Sequence, residues 1–594
     1  MKTFLKYFFT GLGGYILGII TVIAIVGGLI SSLSGGFNFG KAEQTELKSG
    51  SVLHLKLVGN VAERSEANPL NELIGEATGA PMAEAIGLNA IRNGLKKAAS
   101  DPMISAIYLD CGMYEGGLAT AEEIRSALLA FKKSNKPVFA YGTIFTETGY
   151  YIATAADQIY MHPQGMIDFN GLSSRFVMYK GLFDKLGVDF QVFRAGKYKS
   201  AVEPYIQKEL SDNNKDQIKR YIELLYRYQI KNIALARKLD QNQLWEKALS
   251  GSIQLPADAV NAQLIDGLAY QDQQSYKQLN KKGRVQFDDE KLYSFTSYAK
   301  DVDPYAYSEN KIAVIYAVGE IVPGKQDPYS GIGSETFIAS LKKARKDKSI
   351  KAIVIRVNSP GGSALASDEI AREIELCKKE KPLIASYGDV SASGGYYLSC
   401  VADSIVALPN TITGSIGVFA LLTDVSELFS NKLGLTYETV DLGSMSAGFR
   451  PDRPLNEMES AYMQRMIDSI YDDFLSIVSR GRKLSRTAVE NLAQGHVYTA
   501  EDAKELGLVD ILGGLDRAIL AAARKAKIKE YRVVELPKKE DALSKLLNGD
   551  KSSDEQAEKI ALKLGISVRQ FKDFQNLIKL TGPQAYFPLS VEFR

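Results

Sequence analysis

Ser393 sits among small residues, Ala392-Ser393-Gly394-Gly395, and a serine so placed becomes a nucleophile when a base stands beside it. The plainer use of such a residue is tight packing, as for the two glycines that follow it. Histidine is the usual base, but the chain has only three histidines. His54, His162 and His496 each fall in strand-like or repeat-linked surroundings, and none lies near another in the sequence. A Ser-His-Asp arrangement is therefore disfavoured. No CxxC or HExxH spacing suggests a zinc site, and no GxxxxGKS/T loop suggests a phosphate cradle, so no metal and no cofactor is expected. The remaining base is lysine, which serves only where burial or its neighbours favour the neutral amine. Such a site must be shielded from water, as at a contact between domains. With 72 lysines and arginines in the chain, residue type alone does not single one out.

The setting of Ser393 occurs twice. Tyr141 to Gly171 (YGTIFTETGYYIATAADQIYMHPQGMIDFNG) is written again, with changes, as Tyr387 to Gly417 (YGDVSASGGYYLSCVADSIVALPNTITGSIG). Glu147 takes the place of Ser393 in the earlier copy, so only the later copy can carry a nucleophile there. The correspondence extends outwards: LKKAASDPMISAI from Leu95 answers LKKARKDKSIKAI from Leu341, and Gly251 to Asp266 answers Gly495 to Asp510. Each copy is long enough to bury its own core, which points to tandem duplication of a whole domain rather than to a solenoid. Within a copy, apolar β-rich runs (Val52–Val58, Ile312–Val318, Ala352–Val357, Leu383–Ser386) alternate with helical-period segments such as Ser367–Lys379. That alternation predicts an α/β fold with parallel sheets. Asp216–Leu239 and Met458–Gly481 read as longer amphipathic helices.

Phe8 to Leu33 carries no charged side chain and is rich in Ile, Val, Leu and Gly, enough apolar chain to cross a bilayer. Lys2 and Lys6 precede it, so the N-terminus (1–7) is expected in the cytoplasm and the remainder on the outer side. A secretion signal is the rival, but the stretch is long for one and no small-x-small site closes it. The expected order is anchor 8–33, linker 34–49, first repeat 50–300, second repeat 301–537 and charged tail 538–594. The tail ends in a more apolar piece, Ala585 to Phe593, that could fold back onto the body. A formal charge of +2 argues against a nucleic-acid partner. Cys111, Cys377 and Cys400 do not form a disulfide scaffold; Cys111 and Cys400 read as buried small side chains.

Taken together the chain resembles the signal peptide peptidase A family, in its long duplicated form. Three segments carry the resemblance: RVNSPGGSALAS (Arg356 to Ser367), GDVSASGGYY (Gly388 to Tyr397) and GKYKSAVEP (Gly196 to Pro204). The family fold is similar to that of Clp protease and crotonase. The resemblance implies Ser393 as nucleophile, Lys199 as its base, and an oxyanion hole from Gly361 or Gly362 with Gly394. It also implies that Ser415, in Thr413-Gly414-Ser415-Ile416-Gly417, orients the lysine. Lys197 lies two residues from Lys199 and would share its face if the segment were extended, so spacing does not separate them. The second copy has Gly443-Ser444-Met445-Ser446 at the lysine segment, and the first has Tyr114-Glu115-Gly116 at the Pro360-Gly361-Gly362 loop. Each copy lacks what the other keeps.

The resemblance further implies a membrane-anchored serine endopeptidase that degrades released signal peptides at the inner membrane, with catalytic domains on the periplasmic side. Its partners would be apolar unfolded peptides, the lipid bilayer and copies of itself, a tetramer by resemblance. Two other readings are a non-catalytic membrane scaffold and a crotonase-type acyl-thioester enzyme; the latter would require a thioester supply outside the membrane.

Overall fold

The computed structural model describes residues 47–65, 86–271, 292–300, 302–537 and 584–586. The expected span 8–33 lies outside the described residues, as do most of the linker and tail. Among the described residues no helix is long and apolar enough to cross a membrane.

The strands of the first repeat are β1 (Ser51–Lys56), β2 (Ile104–Asp110), β3 (Val138–Phe145), β4 (Gln158–Ile167), β5 (Asp189–Ala195), β6 (Gly267–Leu268) and β7 (Leu292–Ser294). All but β5 form one parallel sheet in the order β6-β4-β3-β2-β1-β7. In the second repeat come β8 (Lys311–Val318), β9 (Ile321–Val322), β10 (Ile332–Gly333), β11 (Ile350–Ser359), β12 (Gly361–Ser363) and β13 (Leu383–Ala392). They are followed by β14 (Ser404–Ala407), β15 (Ile412–Gly414), β16 (Val418–Asp424), β17 (Val497–Thr499), β18 (Ile511–Leu512) and β19 (Arg532–Leu536). The line β19-β8-β11-β13-β14-β18 repeats the first sheet strand for strand, and β15 and β17 extend it from β13. The duplicated sequence is thus a duplicated α/β topology.

Helices cover these sheets, so their central strands are apolar along both faces. Ile353, Ile355 and Val357 of β11 enter one cluster, with Ile370 and Ile374 of the helix Ala364–Glu380; Ala352 and Val354 enter another, with Ala518 and Ile519. The helix Ala364–Glu380 starts where Ser363 Oγ accepts from Ala366 N at 3.3 Å and ends over Lys378 and Lys379, which suit its negative pole. The longer helices run Asp212–Arg237 and Glu457–Arg482; the second opens with a capping box of Asn456 and Glu459. The strand expected over Leu383–Ser386 continues to Ala392, because beyond β14 it gains a second partner in β15. All three cysteines are free and buried.

A third sheet joins the repeats. Its order is β10-β9-β12-β20-β16-β5, where β20 is Gln584–Tyr586 near the end of the chain. Strand β5 leaves its own repeat to pair antiparallel with β16, from Asp189 opposite Asp424 to Ala195 opposite Val418.

Candidate active site

β13 delivers Ser393 at its end, where it caps the helix Gly394–Ser399. Ser393 has φ 54 and ψ −117, a conformation costing a non-glycine residue about 1–3 kcal/mol. The surroundings hold it there: its N–H donates to Gly414 O (2.9 Å), and its own carbonyl accepts from Tyr397 N (2.8 Å). Gly414 ends β15 alongside Ala392, so the next residue, Ser415, emerges beside Ser393. Ser415 also has positive φ, 50, and donates its N–H to His496 O at 2.7 Å.

The lysine arrives from the other repeat. Because β5 runs antiparallel to β16, residues just after Ala195 meet residues just before Val418, so Lys199 and Ser415 lie at the same end of the pair. A turn at Gly196–Tyr198 follows β5 and is pinned by the second repeat, with Tyr198 N donating to Gln494 O at 2.7 Å. Gly495, at φ 77, lies so close that a Cβ there would meet Lys199 N at 2.5 Å. Only glycine fits both the conformation and the approach. The turn separates the two lysines that an extended segment would have kept on one face. Lys197 is exposed with its ammonium over the Tyr198 ring, whereas Lys199 is 1% exposed.

Lys199 Nζ lies 2.8 Å from Ser393 Oγ, 2.9 Å from Ser415 Oγ and 3.1 Å from Ser415 O. Burial holds its amine well below the usual lysine pKa. A neutral amine has two N–H groups and one lone pair. The Ser415 carbonyl can only accept and takes one N–H; the Ser415 hydroxyl takes the other. The lone pair is left for the Ser393 O–H. The arrangement can therefore draw a proton from a fully buried hydroxyl (Ser393 is 0% exposed) without a carboxylate or an imidazole.

Gly361 and Gly362 form β12, beside the helix Gly394–Ser399. Gly361 N donates to Ser359 Oγ at 3.2 Å. At Gly362, φ is 153 and a Cβ would lie 2.1 Å from Ile321 O, so the close approach to β9 excludes any side chain. The structure thus puts Gly361, Gly362 and Gly394 around one strand-to-helix junction.

In the first repeat the equivalent position is closed. Glu147 is buried, and its carboxylate accepts from Tyr226 Oη (2.6 Å), Asn170 N (3.1 Å) and Gly171 N (3.2 Å). Burial pushes its pKa up to about 7 against the pull of those hydrogen bonds. The segment Gly443–Ser446, aligned with the lysine segment, lies exposed in the excursion between β16 and Glu457–Arg482.

The two repeats are locked by polar and apolar contacts. Asp389, on the nucleophile strand, caps the first-repeat helix Leu118–Lys132 by accepting from Ala119 N (2.8 Å) and Thr120 N (2.9 Å). Arg356 of β11 is 0% exposed and reaches Glu63 Oε2 at 2.9 Å and Glu123 Oε2 at 2.7 Å, both in the first repeat. Burial opposes its charge, but Glu123 and Glu63 more than offset that and raise its pKa. Arg92 also pairs with Glu123, at 3.3 Å, and with Asp516 of the second repeat. Beside the site, Ile218, Tyr221 and Leu225 pack with Ala392, Ile412 and Val497, while Phe183 and Phe190 pack with Phe419 and Leu421. Burying each of the Ile, Leu, Val and Phe side chains among them contributes about 1.5–3 kcal/mol.

Residue spacing did not single out His496, the Gln494-Gly495 turn or Asp389. The His496 carbonyl holds Ser415, and its ring lies 4.8 Å from that of Tyr198. Its lone position in the sequence carried no signal of this, since what it supplies is backbone and packing.

The sequence pattern of peptidase family S49 matches this chain twice, over residues 130–285 and 375–529. "Protease 4" of Salmonella typhi is 33% identical over 506 residues, 83% of this chain and 81% of that protein. "Protease 4" of Haemophilus influenzae is 34% identical over 509 residues, 81% of this chain and 80% of its own length. A candidate signal peptide peptidase SppA of Enterococcus faecium is 37% identical over 202 residues, 34% of this chain and 58% of that protein. A solved ClpP1 mutant chain from Listeria monocytogenes, 16% identical and covering 35% of this chain and 94% of its own, gives a TM-score of 0.24, too low to bear on the fold.

Proposed function

The chain belongs to peptidase family S49 and is a serine peptidase, and we propose that it cuts peptides through a Ser393–Lys199 dyad assembled from its two repeats. The observation carrying this reading is the 2.8 Å approach of two buried side chains from different repeats, where burial pushes the amine's pKa down. In the proposed cycle Lys199 takes the Ser393 proton as Oγ attacks the scissile carbonyl. One backbone N–H of the Gly361-Gly362 pair, with that of Gly394, stabilises the oxyanion, each donor worth about 3–4 kcal/mol. Lys199 then returns the proton to the leaving amine, and water activated by the same lysine releases the acyl group from Ser393.

The proposed substrates are signal peptides left in the membrane after release from their precursors. The name of the Enterococcus faecium relative supports this, as does the apolar, uncharged stretch 8–33, proposed as a single anchor holding the repeats outside the inner membrane. A homo-oligomer, a tetramer by resemblance, would admit extended peptides and exclude folded proteins.

A serine-directed phosphonate tests the reading. Label is expected on Ser393, with a rate that rises about tenfold per pH unit while Lys199 is protonated and then levels off, well below the pH at which an ordinary lysine loses its proton. A scaffold protein or an acyl-thioester enzyme would leave Ser393 unlabelled. Ser415→Ala removes one acceptor that favours the ammonium form, so its profile should reach the plateau at lower pH. The poorer aim of the lone pair should cost about tenfold in kcat/KM, the worth of one hydrogen bond of ~1.4 kcal/mol. An unchanged profile and rate would remove Ser415 from the proposal.

A further inference from the structure

Strand β20 runs along the Gly361–Ser363 strand, next to the helix that Ser393 caps. Gln584–Tyr586 runs antiparallel to β12, with Gly361 opposite Tyr586, Gly362 opposite Ala585 and Ser363 opposite Gln584. On its other side Gln584 pairs antiparallel with Phe419 of β16. It also lies against the helix Gly394–Ser399, which Ser393 caps. Without β20, the third sheet would be interrupted between β12 and β16, leaving two facing strand edges. Each strand-to-strand step is about 4.8 Å, so the gap is about 10 Å between backbones. That admits one extended chain and excludes a helix, whose diameter with side chains is about 10–12 Å.

We propose that the C-terminal segment Gln584–Tyr586 is a tethered occupant of the substrate slot and competes there with extended peptide substrates. This rests on the peptidase reading above. A peptidase cannot work with its slot filled, so the segment must yield to substrate, and its pairing is weak enough to do so. It meets β12 over three residues and β16 at a single residue pair. Net of the competition from water, a handful of such bonds amounts to a dissociation constant on the order of millimolar. Because the segment belongs to the same chain, it meets the slot at an effective concentration of the same order. The slot is then occupied for a substantial part of the time, and substrate must displace the tail.

The full chain, a chain ending at Thr581, and the full-length Ala585→Pro variant are compared with a quenched extended peptide and a peptidyl phosphonate. Proline lacks the backbone donor and cannot pair on both sides, so it tests the strand without deleting the tail. Both altered forms are expected to show KM lower by about 2–5-fold with kcat unchanged, and correspondingly faster labelling of Ser393. A synthetic peptide of residues 580–590 should restore the higher apparent KM of the shortened chain at millimolar concentration. Equal KM in all three forms, with Ser393 still labelling, overturns the tethered occupant and leaves the peptidase reading intact. Absence of label in every form overturns the peptidase reading itself, and the competition falls with it.

Discussion

Lys199→Met is expected to lower kcat/KM by about 10²–10⁴-fold or more, and Ser393→Ala by about 10⁴–10⁶-fold, on any peptide the protein cleaves. Methionine matches the length of the lysine stem and keeps the cavity apolar, but offers no lone pair for the Ser393 hydroxyl. Among the described residues the three hydrogen-bond partners of Lys199 Nζ are serine atoms, none of them able to replace it as a base. Because the two groups act as a unit, the double variant should be no slower than Ser393→Ala. Lys197→Ala, which alters an exposed side chain, should stay within about twofold of the parent. Steady-state hydrolysis with phosphonate labelling checks all four. Retained activity in Lys199→Met, or its loss in Lys197→Ala, would move the base to another residue. Burial of an uncharged lysine also carries a stability signature. The unfolded chain binds a proton that the folded one refuses, so this contribution to stability rises with pH between the depressed pKa and the ordinary lysine value.

Arg356→Met should destabilise the folded chain by about 3–5 kcal/mol, because it strands Glu63 and Glu123 in the interior without the guanidinium that both face. Arg356 also donates to Ser386 Oγ (3.1 Å) and Tyr387 O (2.9 Å), fastening the nucleophile strand to the same network. Glu123 retains Arg92 at 3.3 Å, whereas Glu63 keeps only the Asn358 amide at 3.2 Å among its described side-chain partners. Adding Glu63→Gln to Arg356→Met removes one stranded charge and should recover part of the loss. Urea or thermal unfolding reads the stability, and Ser393 labelling reads whether the lysine-bearing repeat still docks. A loss below about 1 kcal/mol would mean that water reaches the network and that the pairing does little to join the repeats.

The duplication, the strand–helix alternation and the candidacy of Ser393 were legible because each is written locally, in a repeated string or a run of small residues. Lys199 was not legible from residue type. What distinguishes it from its neighbour Lys197 is a turn, and the turn's place depends on β5 pairing with β16, more than two hundred residues downstream. No local pattern records such a crossing; the lysine came from family resemblance alone. Arg356 and Asp389 stood inside quoted motifs, but their partners Glu63, Glu123 and Thr120 belong to the other repeat, and pairing at that separation leaves no periodicity. The apolar C-terminal piece was expected to fold back from Ala585 onward. The strand found begins one residue earlier and goes to the slot beside Gly361, a destination that composition does not encode.

Placing the two groups of the proposed dyad on different repeats has a consequence during synthesis. The ribosome finishes the amine-bearing half first, and the hydroxyl-bearing half follows much later. The pins at Gln494 and Gly495 emerge later still. A nascent chain thus passes most of its translation chemically inert, with its nucleophile unarmed until the final repeat closes. A peptidase built on such a divided pair gains its activity only as its second half is completed.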